Sequence, residues 1–183
     1  GDSSGSAYIF TRTGNIWTEQ VKLTPSDGAV SDYFGVSVAL SGDTALVGAF
    51  LDDDNGNSSG SAYIFTRTGN TWTEQAKLVP SDGAENSNFG FSVALDGDTV
   101  LVGAEYDNDN GENSGSAYIF TRSDGIWSEQ AKLTASDAAA GDEFSYSVAI
   151  SGDIVVVGSH RDDNQKGAAY VFERALGGAN TWG

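Results

Sequence analysis

The chain has no cysteine and no methionine, only two prolines and one histidine among its 183 residues, and only nine lysines and arginines against 26 acidic residues. Without cysteine there are no disulfides, thiolate metal sites or cysteine nucleophiles, so packing alone must hold the fold. With a single histidine, His160, the catalytic inventory is thin. No serine or carboxylate stands apart from the repeats in a way that would pair a nucleophile with its base. A formal charge of −17 repels phosphate backbones and anionic lipid, which argues against nucleic acid as a partner. No run of 18 apolar residues is present, so membrane insertion is not expected. The chain begins at Gly1 rather than methionine, which suggests a processed or excised segment, and an already removed signal peptide would fit.

What is present is repetition. Gly5-Ser6-Ala7-Tyr8-Ile9-Phe10 recurs at Gly60–Phe65 and at Gly115–Phe120, and as the variant Gly167–Phe172; Trp17, Trp72, Trp127 and Trp182 stand 55 residues apart. A period of this length marks a solenoid, propeller or array. Composition favours strands: 39% hydrophobic residues, 24 glycines, and many tyrosines, phenylalanines and valines.

Each unit carries four strand signals, bounded by Gly, Asp, Asn or Ser. In the most complete unit these are strand a (Phe34–Leu40), strand b (Thr44–Ala49), strand c (Gly60–Arg67) and strand d (Thr71–Leu78). Tight turns at Ser41-Gly42-Asp43 and Thr68-Gly69-Asn70 join a to b and c to d. The scheme repeats at Phe89–Leu95, Thr99–Ala104, Gly115–Arg122 and Ile126–Leu133. A last unit runs Phe144–Ile150, Ile154–Ser159 and Gly167–Phe172, with a lengthened c–d turn at Arg174–Asn180 that returns Trp182 to register.

A lone four-stranded meander with two apolar faces must stack on neighbours, and radial stacking of such sheets is the β-propeller. The chain is therefore expected to be all-β, a propeller-type array of antiparallel blades. Its units are a partial blade over residues 1–28, blades over 29–83 and 84–138, and an incomplete blade over 139–183, about three and a half in all. Such an array cannot close by itself, so the chain is expected either to be a piece of a longer array or to self-associate into a homo-oligomer or filament.

Phe34-Gly35 and Phe89-Gly90, with Val47-Gly48-Ala49 and Val102-Gly103-Ala104, resemble the FG-GAP repeats of integrin α-chain propellers, and most of all their bacterial extracellular branch. The signature proline is replaced by Phe50, Glu105 and His160, and the third Phe-Gly reads Phe144-Ser145. The resemblance implies an extracellular or cell-surface, non-enzymatic interaction or adhesion module with a protein or glycan ligand. A structural subunit of an extracellular assembly and a glycan-binding lectin are the alternatives.

The candidate metal residues lie in the b–c loops: Asp52, Asp54 and Asn55, and Asp107, Asp109 and Asn110. Oxygens at alternating positions around a glycine turn are what a hard cation requires, and calcium is the cation they would take. The competing reading is a solvated loop with an Asn-Gly turn. Integrin-type blades carry calcium in the a–b hairpin, which here has only three residues, so those ligands do not transfer. The last loop, with Asp162 and Asp163 beside Arg161 and Lys166, is a weaker version. Asn57-Ser58-Ser59 fits a glycosylation acceptor. The tryptophans read as packing anchors, and Pro25-Ser26-Asp27-Gly28 and its repeats as turns capped by their own side chains. The pairs Glu19/Lys22, Glu74/Lys77 and Glu129/Lys132 read as surface charges on an edge strand.

Overall fold

A strand can bury both of its faces only if other sheets cover both, and strand c does this twice. In the computed structural model, which describes residues 3–175, 182 and 183, Ala62 and Ile64 enter one apolar cluster and Tyr63 and Phe65 another, all nearly inaccessible to solvent. The strands are β1 (Ala7–Thr13), β2 (Ile16–Leu23), β3 (Val38–Ser41), β4 (Thr44–Ala49), β5 (Ser61–Thr68), β6 (Thr71–Leu78), β7 (Phe89–Asp96), β8 (Thr99–Ala104), β9 (Ser116–Ser123), β10 (Ile126–Leu133), β11 (Phe144–Ser151), β12 (Ile154–Ser159) and β13 (Ala168–Glu173). They form antiparallel meanders β1-β2, β3-β4-β5-β6, β7-β8-β9-β10 and β11-β12-β13. This is the partial propeller of about three and a half blades that the repeat implied.

Strand a is shorter in its first copy than the sequence suggests. Gly35 and Gly48 trade backbone bonds across a bulge (Gly35 N–H to Gly48 O and Gly48 N–H to Ser37 O, both 2.9 Å), so regular pairing begins only at Val38. In the later copies the same irregularity lies inside β7, between Phe89 and Ser92, and inside β11, between Phe144 and Ser147. The last b–c loop folds into a helical turn, α1 (Asp162–Gln165), with Asp163 and Asn164 left-handed. The lengthened turn at Arg174–Asn180 lies mostly outside the described residues. Its outcome is visible, because Trp182 pairs with Arg174 as Trp72 pairs with Arg67 and Trp127 with Arg122.

Each unit's Phe-Gly phenylalanine packs edge-on against its own strand c. Phe34 meets Tyr63 and Phe65 at 5.5 and 6.0 Å, Phe89 meets Tyr118 and Phe120 at 5.5 and 6.0 Å, and Phe144 meets Tyr170 and Phe172 at 5.4 and 6.2 Å. The glycine has a different task. Gly90 has φ +93° and leaves no room for a Cβ, which would stand 2.2 Å from the Ser61 carbonyl oxygen. Its own carbonyl presses on Gly48 of the preceding blade and accepts the Ser37 hydroxyl at 2.8 Å; Ser92 donates likewise to Ser145 O at 2.6 Å. These contacts set how closely consecutive sheets approach.

Ser145 occupies this left-handed position without being glycine (φ 75°), and its buried hydroxyl has no hydrogen-bond partner. Ser145→Gly should therefore stabilise the chain by about 1 kcal/mol, by relieving the backbone and removing an unpaired polar group. Thermal unfolding of the variant beside the parent checks this; a lower midpoint would mean that the hydroxyl is doing something useful.

The tryptophans are packing anchors with a defined partner. In each c–d pair one residue of strand d bulges out of register, as at Ile64/Phe65, where Ala76 and Glu74 are paired and Gln75 is left over. The bulged Gln20 accepts the Trp72 indole N–H at 3.1 Å, and Gln75 accepts that of Trp127 at 3.2 Å, tying the outer strands of neighbouring blades together. Arg67 and Arg122 lie over the same indoles, 5.8 and 5.1 Å from the rings.

Candidate functional site

Two of the three edge-strand lysines, Lys77 and Lys132, are not surface charges, whereas Lys22 is exposed as expected. Lys77, one residue before the end of β6, turns inward, and its ammonium lies 2.8 Å from Asp27 Oδ2, 2.9 Å from Asp52 Oδ2 and 2.5 Å from Asp54 Oδ2. It also stands 5.2 Å over the ring of Tyr63, whose hydroxyl is 2.8 Å from both Asp27 Oδ1 and Asp52 Oδ2. The next unit builds the same cradle. Lys132 reaches Asp82, Asp107 and Asp109 at 2.8, 3.2 and 2.5 Å, and Tyr118 Oη lies 2.9 Å from Asp82 and 3.1 Å from Asp107. In the last unit Tyr170 joins Asp137, at 2.7 Å, to Asp162, while Asn164 stands where Asp54 and Asp109 stand.

Four elements supply each cradle: the turn before strand a, the b–c loop, strand c and strand d. Asp52 and Asp107 are buried, so their charge must be compensated, and the lysine does so from within the unit. Burial pulls the Lys77 and Lys132 ammonium groups down, but their carboxylate partners outweigh it and the net shift is upward. Burial likewise works to raise Asp27 and Asp82, yet their bonds to lysine and tyrosine leave both below the usual carboxylate range. Burial first, then the neighbouring carboxylates, pushes the Tyr63, Tyr118 and Tyr170 phenols up, so they remain neutral donors.

Of the residues proposed from sequence as cation ligands, Asp52 and Asp54 converge on Lys77, and Asp107 and Asp109 converge on Lys132. Asn55 and Asn110 stand exposed at the loop tips. Among the described residues, no group of three or more His, Cys, Asp or Glu side chains could hold a metal ion. The Ser-Asp turn also differs from expectation. Asp27 and Asp82 do bond their own backbone, but the serines bind the following blade: Ser26 donates through N–H and Oγ to Glu74, at 2.8 and 2.9 Å, and Ser81 to Glu129 in the same way. Sequence reading missed the cradle because it weighed each charge singly. The usable signal was an Asp, a Tyr and a Lys returning together in both complete units.

A second cluster gathers where the signature proline is replaced. Phe50 packs on Tyr33 and Phe91, and Phe91 on Tyr146, which stacks on His160 at 4.0 Å, so a row of rings crosses three blades. Glu105 is 3% exposed, bonded to the Asn88 side chain and close to Glu143, itself buried and paired with Arg161 and His160. Burial, reinforced by Glu143 and opposed by Asn88 and Arg161, pushes Glu105 up to about 7.

A module of stacked four-stranded blades, tied together blade to blade by repeated side chains, is a β-propeller repeat protein. The FG-GAP repeat model matches residues 17–65, 72–120 and 127–172, each match running from the strand-d tryptophan to the strand-c phenylalanine of the next blade. The chain belongs to the FG-GAP repeat family. No curated protein matches it. Among solved structures, TolB from Acinetobacter baumannii is similar at 14% identity and a TM-score of 0.45, over the whole of this chain and 41% of that one. Among the described residues, no helix is long and apolar enough to cross a membrane.

Proposed function

We propose that this FG-GAP propeller segment is a non-enzymatic, extracellular interaction module that presents its b–c loop tips to a protein or glycan partner. The observation that carries the reading is the duplication of one rigid device. Asp53, Asn55 and Asn57 in one unit, and Asn108, Asn110 and Glu112 in the next, stand exposed on loops anchored by identical lysine cradles. Equivalent weak sites at fixed spacing gain avidity from simultaneous contact. FG-GAP repeats are typical of extracellular proteins, which supports the location. Lysine supplies the stiffening in both complete units, so the reading does not require calcium there. The strand-c tyrosines Tyr63 and Tyr118 are buried and Trp72 and Trp127 are partly covered, so a sugar would have to stack elsewhere, on exposed rings such as Tyr33 and Tyr146.

Beads coated with the chain should be retained on a cell surface or extracellular matrix. Replacing the exposed polar residues of both tips by serine should cost more retention than the product of the two single-loop losses. Equal retention of all variants would overturn the reading.

A further inference from the structure

Both complete units carry an Asn-Gly pair at the tip of the b–c loop, Asn55-Gly56 and Asn110-Gly111, and no other asparagine of the chain precedes glycine. A glycine nitrogen has no side chain beside it to hinder attack on the preceding carboxamide, which makes these asparagines the least durable of the chain. Both are exposed, and among the described residues their carboxamides hold no hydrogen bond. Asn57, in the same loop as Asn55, is better protected. It precedes serine, and its carboxamide donates to Asn86 Oδ1 at 3.2 Å.

What stands between each pair and reaction is the turn. Gly56 N–H donates to Asp53 O and Gly111 N–H to Asn108 O, both at 3.1 Å, so the attacking nitrogen is engaged until the turn opens. The residue before each asparagine is pinned twice. Lys77 holds the Asp54 carboxylate and Lys132 that of Asp109, while Asp54 N–H donates to Asp52 Oδ1 at 3.3 Å and Asp109 N–H to Asp107 Oδ1 at 3.1 Å. The base of each loop is closed separately, by Gly60 N–H to Asp52 O and Gly115 N–H to Asp107 O, both at 2.9 Å, so a tip can open without unfolding its blade. The two tips are not equally braced. Asn110 N–H donates to Ser114 Oγ at 3.3 Å and Asn113 N–H to Asn108 Oδ1 at 2.6 Å, and among the described residues neither bond has a counterpart in the loop at 52–60.

We propose that both tips are sites of spontaneous deamidation, restrained by the lysine cradles and faster at Asn55 than at Asn110. The Gly56 nitrogen forms a bond to Asn55 Cγ as the Cγ–Nδ2 bond breaks; the glycine N–H proton passes through water to the departing nitrogen, which leaves as ammonia. The cyclic imide then takes up one water, whose hydroxyl goes to carbon and whose proton goes to the glycine nitrogen. Opening at Cγ gives aspartate, and opening at the backbone carbonyl carbon gives isoaspartate, which adds a methylene to the main chain. Gly111 and Asn110 react likewise. Each event adds a negative charge to a tip, and isoaspartate also lengthens a turn that Gly56 and Gly111 close at φ +122° and +131°. The chemistry is independent of whether the tips bind a partner. On tips that do, it changes the presented surface slowly and in one direction.

Peptide mapping by mass spectrometry, on the whole chain incubated for weeks in mildly alkaline buffer, reads each asparagine separately, and labelling by isoaspartyl methyltransferase marks the lengthened linkage. Asn55 should convert first, Asn110 more slowly, and Asn57 well behind both. In denaturant the two tips should convert faster and at equal rates, because Asp-Asn-Gly is the same in both loops. Lys132→Met should speed Asn110 in the folded chain by about tenfold or more and leave Asn55 unchanged, since it frees the residue that holds the tip closed. Asp109→Ser is the milder variant: Asp109 is 60% exposed, so the fold survives its loss and Asn110 should speed up by about threefold. Each variant is read against its own rate in denaturant, which removes any effect of the new neighbour, and circular dichroism confirms that it is folded. Conversion of Asn57 ahead of both tips, of Asn110 ahead of Asn55, or folded-chain rates that neither cradle variant moves would each overturn the proposal.

Discussion

Lys132→Met should destabilise the chain by about 3 kcal/mol at neutral pH, the largest loss expected from any single exposed-strand substitution. Removing one partner of a buried ion pair usually costs about 3–5 kcal/mol, and because only Asp107 of the three carboxylates is buried, with Asp82 and Asp109 exposed, the lower end is expected. The variant keeps the stem's apolar contact with Tyr118 and loses only the charge, so the effect isolates the electrostatics of the cradle. Its pH dependence has a definite sign. Asp82 has a folded pKa below its unfolded value, so its contribution is present above about pH 4 and disappears as pH falls through the folded value. Lys132 has a folded pKa above its unfolded value, so its contribution is fully present below about pH 10. The gap between parent and variant should accordingly be widest from pH 5 to 9 and narrow in acid; denaturant titration at several pH values measures it. The variant also leaves three carboxylates around an empty centre. Millimolar calcium should raise its unfolding midpoint and leave the parent's nearly unmoved, whereas an equal rise in both would place a calcium site elsewhere.

Glu105→Gln should stabilise the chain by about 2 kcal/mol at pH 8 and leave it nearly unchanged at pH 5. The folded pKa of Glu105, about 7, lies above its ordinary value of 4.5, so its contribution to stability is present below pH 4.5 and lost as pH rises through 7. Above that pH the carboxylate is ionised in a buried site beside Glu143, with Arg161 already committed to Glu143. Glutamine keeps the shape and can still meet Asn88 without the charge. Its unfolding midpoint should rise by roughly 4–8 °C at pH 8, given about 2–4 °C per kcal/mol for a chain of this size. A variant whose profile tracks the parent from pH 5 to 8 would overturn the assignment of this charge penalty to Glu105. Phe50 fills the equivalent position in the preceding unit, so an uncharged residue is already tolerated there.

The blades were legible because three signals coincide in every unit: alternating apolar residues, glycine-centred turns and an unbroken repeat. They place β4, β6, β8, β10 and β12 within the bounds the structure shows. Strand a was less legible, because the bulge that shifts pairing at Phe34–Ser37 depends on backbone bonds to Gly48, in the adjacent strand. The b–c loop acids read in the sequence as ligands of a metal cation, and in the structure Asp52 and Asp54 meet the Lys77 ammonium while Asn55 stands exposed. That ammonium was not legible, because Lys77 lies 25 positions beyond Asp52 and only the meander turns it back toward the loop. The same holds for Ser26 and Glu74, 48 positions apart, which meet because neighbouring blades share an edge.

Period and local chemistry are properties of neighbours along the chain, so sequence by itself determined the repeat, the four-strand unit and the family resemblance. Partnership across blades is a property of distance in space. Tertiary structure alone decided that Lys77 and Lys132 point inward, that the serine-aspartate turns clasp the following sheet, and that Glu105 is buried beside Glu143. Stacking sheets at the spacing of a glycine-to-carbonyl contact brings each of these charges against residues that the chain itself keeps far apart.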